Sequence, residues 1–160
     1  MRKLLTKTIW APGIIPIEEW KYRNLKRVVL PLVDMFFVLG GFAVVKFGLP
    51  TIDVFFPDYM VNLGGRILSF SAFLALLGVC FPKLWPFEMT GKSILLGLLV
   101  GYFVASIWLT AVGATGRGFV LMLDLIAIAL VIWRLTLLGS EWQTRRLAVK
   151  AALEKDETNV

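Results

Sequence analysis

SILLGLLVGYFVASIWLTAVGA, residues 93–114, is a run of 22 residues without a single charge. Wound as an α-helix at about 1.5 Å per residue it reaches about 33 Å, enough for a hydrocarbon core of roughly 30 Å. Three further predominantly apolar runs, 28–48, 67–84 and 119–139, each with one or two charged residues, bring the total to about half of the 160 residues. The second of these only just reaches across. Lipid offers backbone N–H and C=O groups no partners, so each run must satisfy its own hydrogen bonds, which a helix does. The expected fold is therefore an all-α integral membrane protein. It divides into a basic, interfacial amphipathic segment (1–27), a four-transmembrane-helix antiparallel bundle (28–139) and a short charged cytoplasmic tail (140–160).

Composition agrees, with 58% hydrophobic residues, 18% charged residues and a mean hydropathy of +0.79. There is no histidine, and Cys80 is the single cysteine. His-ligated haem, zinc-hydrolase sets, Ser/His or Cys/His nucleophile pairs and an internal disulfide are thereby excluded for the chain alone. A net charge of +6 could point to nucleic acid, but most of the basic residues flank apolar runs, and topology accounts for them.

Arg2, Lys3, Lys7, Lys21, Arg23, Lys26 and Arg27 precede the first run. Lys83 and Lys92 separate the second from the third, and Arg145, Arg146, Lys150 and Lys155 follow the fourth. The opposite connections hold Arg66 and Arg117, with Lys46 near the edge of the first run. The positive-inside rule puts both termini in the cytoplasm of a cell with this inner (plasma) membrane, against its anionic inner leaflet. No small-residue cleavage site follows the first run, so it is expected to stay in the mature protein. Leu4, Leu5, Ile9 and Trp10, interleaved with basic residues, suit a segment lying on the leaflet; Glu18 and Glu19 suit the first turn of a short helix, with Trp20 and Tyr22 at headgroup depth. Val54, Phe55 and Phe56 are expected to dip into the opposite interface. In the tail, Lys155, Asp156 and Glu157 are expected to be solvated and frayed.

Apart from Lys83 at the very end of the second run, four charged residues fall inside the runs: Asp34 and Lys46 in the first, Asp124 and Arg134 in the fourth. A mid-membrane charge costs about 2.5 to 3.5 kcal/mol on insertion scales, so these positions demand partners or water. Asp34 and Arg134 match in depth near the cytoplasmic boundary, and Lys46 and Asp124 near the outer one. That match predicts that the first and fourth helices pack with opposite charges paired, although their angular spread leaves room for one tight pair at most. Snorkelling cations and aspartates facing the bundle interior are the alternative.

The third run contains Ser93, Gly97, Gly101 and Ala105, small residues four apart that let another helix approach closely. Ser71, Ala75 and Gly78 form a shorter counterpart in the second run. The ladder is expected either to seal these two helices together or to join copies of the chain. Thr90-Gly91-Lys92-Ser93 looks like the end of a phosphate-binding loop, but Pro86 stands where the earlier glycine belongs and no strand precedes it. Gly113, Gly116 and Gly118 suit a tight turn. Asp34 and Asp124 lie toward opposite faces, which speaks against an intramembrane aspartyl protease.

The chain is accordingly expected to be no enzyme and to need no cofactor or metal; its partners are the bilayer and further copies of itself or an unidentified protein. Three functions fit: an oligomeric membrane permeabiliser, a noncatalytic accessory or scaffold subunit of a membrane complex, and a small ion or proton channel or transporter. In size and topology the chain resembles phage holins, which accumulate in the inner membrane and then open holes that release or activate lytic enzymes. That resemblance implies a homo-oligomer and a pore.

Overall fold

The computed structural model describes residues 8–10, 24–49, 56–113 and 118–157. Among them there is no strand, and four helices are long and apolar enough to cross a membrane. A wide π turn, Leu25–Val29, leads into α1 (Leu30–Phe47), which is followed by α2 (Asp58–Cys80). A 3-10 turn, Pro82–Leu84, joins α2 to α3 (Trp85–Ala111), and α4 runs over Gly118–Glu157. The expectations at Leu4, Leu5, Glu18, Glu19, Trp20, Tyr22, Val54, Phe55 and Gly116 lie outside the described residues.

Prolines and glycines set the helix ends. Pro31 has no N–H to give the carbonyl of Arg27 four residues earlier, and the wide turn sits where its ring would crowd that carbonyl. The Trp10 indole donates to this Arg27 carbonyl at 3.1 Å. The Ile9 N–H donates to the carbonyl of Cys80 at 3.0 Å, and Arg27 Nε donates to the carbonyl of Ile9 at 3.1 Å. Ile9 is buried, so residues 8–10 are held against the π turn and the end of α2. Gly48 ends α1 at φ 73°, a backbone conformation that side chains disfavour. Phe81 is extended ahead of Pro82, as a residue before proline must be, and Pro86 occupies the first turn of α3, where its missing N–H costs nothing.

Two helices begin earlier than the apolar runs. The apolar runs begin just after Arg66 and Lys92, but helical hydrogen bonding extends through such charged residues, so α2 starts at Asp58 instead of 67 and α3 at Trp85 instead of 93. Arg66, Glu88 and Lys92 therefore stand on helices. The tail differs as well: α4 continues for 40 residues through Glu157, about 60 Å at the helical rise, and takes in Lys155, Asp156 and Glu157.

Each helix packs mainly against its neighbour in sequence. Between α1 and α2 the backbones meet at Gly41 and Gly65; a Cβ on Gly41 would stand 2.7 Å from the Gly65 carbonyl oxygen. Ser69 Oγ donates to the carbonyl of Val38 beside them, at 3.0 Å. Between α2 and α3 the contacts are Gly78 against Glu88 and Gly91 against Ser71 and Ala75, with Ser71, Ala72, Ala75 and Val79 buried. Leu95 of α3 and Val131 and Leu138 of α4 are buried in turn.

Candidate functional site

Charge is concentrated where the start of α3 meets α1 and α4. Asp34 of α1 is fully enclosed (0% exposed) and Lys92 of α3 nearly so (2%); Lys92 Nζ donates to Asp34 Oδ1. One turn earlier on α3, Glu88 receives Arg134 of α4 in a two-pronged pair, Nε to Oε1 at 2.6 Å and Nη2 to Oε2 at 3.0 Å. Arg134 Nη1 lies 3.6 Å from Glu141 Oε1, which in turn accepts from Lys26 Nζ at 2.6 Å. Three carboxylates and three cations thus neutralise one another. Buried pairs of this kind stabilise little against an apolar core, but removing one partner strands the other. They fix which faces of α1, α3 and α4 meet.

The partners differ from the expected ones. Asp34 and Arg134 lie close enough to feel each other's charge, yet each is bound to a residue of α3. Lys46 and Asp124 do not pair: Lys46 is exposed, its ammonium 5.4 Å from the Phe47 ring centroid, and Asp124 Oδ2 is buried without a partner among the described residues. The reason is order of packing. The first and fourth helices each pack mainly on a sequence neighbour, and α3, with Glu88 and Lys92 already on its first turns, supplies the counter-charges. The apolar runs leave Glu88 and Lys92 in the connection between them; their i, i+4 spacing behind Pro82 and Pro86, a helix-start signal, is what could have placed them on a helix. Lys26 and Glu141 carry no such signal.

Asp124 is the unmatched member of the set. It shares one face of α4 with Val131, Arg134 and Leu138, the buried stripe, and is only 6% exposed. Ser106 Oγ of α3 is likewise buried without a partner among the described residues. No three potential ligands among the described residues are grouped as a metal would need.

The ladder Ser93, Gly97, Gly101 and Ala105 is not the seam between α2 and α3. The seam uses Gly91, while Ser93, Gly97 and Gly101 are exposed and Ala105 is half-buried. A Cβ at Gly97 or Gly101 would meet nothing within 4 Å. Helical geometry gives the cause: at about 100° per residue Gly97 lies opposite Glu88, so burying Glu88 and Lys92 turns the ladder outward.

No family model, curated protein or solved structure matches this chain.

Proposed function

We propose that this chain is a multi-pass protein of the inner (plasma) membrane, its helices crossing antiparallel with both termini cytoplasmic, and that its copies associate through α3 to permeabilise the bilayer as holins do. One observation carries the reading: the four-residue ladder of α3 is open, with room at Gly97 and Gly101 for a second helix. Lipid tails are as apolar as leucine, so close van der Waals packing of small residues is a main drive for helix association in membranes. The glycines at 41, 65, 78 and 91 already serve contacts inside the protomer. The neutralised charge cluster suits a stable building block, with the hole formed between copies.

The test is membrane potential against time in bacteria induced to express the chain, beside Gly101→Leu. Abrupt collapse after a delay is expected for the native chain, and loss of the collapse in a variant that still inserts. A potential that holds at high expression in the native chain refutes permeabilisation and leaves an accessory role. Asp124 favours a second reading, ion or proton conduction, because a buried carboxylate oxygen without a partner is what an exchanging proton or cation requires. Slow leakage abolished by Asp124→Asn and untouched by Gly101→Leu would select it.

A further inference from the structure

The face where α1 meets α2 carries a groove of about 370 Å³ whose walls are almost wholly apolar: Val38, Phe42 and Val45 from α1, Phe70 and Phe73 from α2. Arg66 is the one charged residue among those lining it. Along α2, Arg66 and Phe73 are seven residues apart, about 10 Å, so the cation stands at one end of an apolar trough. Phe42, Phe70 and Phe73 are all exposed, as is Arg66. Among the described residues Arg66 has no carboxylate partner, in contrast to Lys26, Lys92 and Arg134.

We infer that this groove binds one anionic phospholipid, with the phosphate on Arg66 and an acyl chain along the phenylalanine-lined trough. The inference rests on the membrane-spanning reading above but not on permeabilisation. Arg66 lies eight residues into α2, directly ahead of the apolar run that starts at 67, which on the spanning reading is the border between headgroups and hydrocarbon. An exposed cation there stands at the depth of lipid phosphates. Guanidinium presents a planar fork that matches a phosphate in two-pronged fashion, and basic sites between membrane helices recruit lipid headgroups for this reason. Lys46, beside Val45 at the same end of α1, adds positive potential without lining the groove. Apolar length and a single cation at its end are complementary to an acyl chain ending in a phosphodiester, and by the positive-inside orientation the lipid comes from the outer leaflet.

The experiment is native mass spectrometry of the full chain in detergent, titrated with dioleoylphosphatidylglycerol. Dioleoylglycerol and inorganic phosphate serve as competitors, and Arg66→Gln and Val45→Trp as variants. One lipid retained per chain is expected, bound about tenfold more weakly in Arg66→Gln for loss of a charge-assisted contact, and displaced by neither competitor alone. Val45→Trp, which fills the trough, is expected to weaken it as well. Equal retention by Arg66→Gln, or displacement by dioleoylglycerol at matching concentration, overturns the site. Alkaline carbonate extraction of the expressing cells separates the two claims. A chain that stays in the membrane pellet while Arg66→Gln binds normally refutes only the lipid site, whereas a chain washed into the supernatant refutes the spanning reading and the lipid site with it.

Discussion

Lys92→Met strands a carboxylate that has nowhere else to turn. Asp34 is 0% exposed, its Oδ1 is held by Lys92, and its Oδ2 already lacks a partner among the described residues. Breaking a buried pair from one side typically costs about 3 to 5 kcal/mol. Asp34→Leu is expected to cost less, because the flexible lysine stem can carry its ammonium toward the helix start. The pair replacement Asp34→Leu with Lys92→Met is expected to return to within about 1 kcal/mol of the native chain, since apolar packing substitutes well for a buried pair. Unfolding in mixed micelles, followed by the fluorescence of the six tryptophans, measures all three variants. A Lys92→Met midpoint equal to the native one, or a double variant as unstable as the single, refutes the pairing.

Three further outcomes follow from the same geometry. Gly78→Ala drives a Cβ against Glu88, whose Cα would be 2.7 Å away, and is expected to cost about 1 to 3 kcal/mol, whereas Gly97→Ala meets open space and should be neutral or stabilising by up to about 1 kcal/mol; the same micelle titration compares them. Glu88→Gln is expected to cost about 2 kcal/mol by breaking the two-pronged Arg134 contact, while Glu141→Gln, at 24% side-chain exposure, should cost under about 1 kcal/mol, a ranking that equal losses would contradict. Asp124→Asn keeps the size and removes the charge of a carboxylate with an unpartnered oxygen, so insertion and stability should be retained or improved; a marked loss of stability would mean that the charge is paired in the native protein.

Legibility in the sequence followed the kind of physics involved. Four predominantly apolar runs of about 20 residues report directly on the length of helix that lipid can cover, and among the described residues four helices are long and apolar enough to do so. The same hydropathy logic failed at helix ends. It took Glu88 and Lys92 for loop residues because they are charged, when their charges are cancelled by residues distant in sequence, Arg134 and Asp34. A one-dimensional reading weighs a side chain by its own transfer energy, and cannot subtract a partner that it has not placed.

The small residues divide in the same way. That 71, 75 and 78 or 93, 97, 101 and 105 form close-packing faces is written in their spacing. Which face is used inside the chain depends on the rotation of α3 about its own axis. Tertiary structure decided that rotation through Glu88 and Lys92, because a buried unpaired charge costs more than an unfilled glycine face. Sequence alone therefore determined the four long apolar helices seen among the described residues, which depend on local composition. Only the folded arrangement decided that α3 supplies the counter-charges, that Asp124 is left without one, and that the glycine ladder faces outward. Each of those depends on which residues, far apart along the chain, come within a few ångströms of one another.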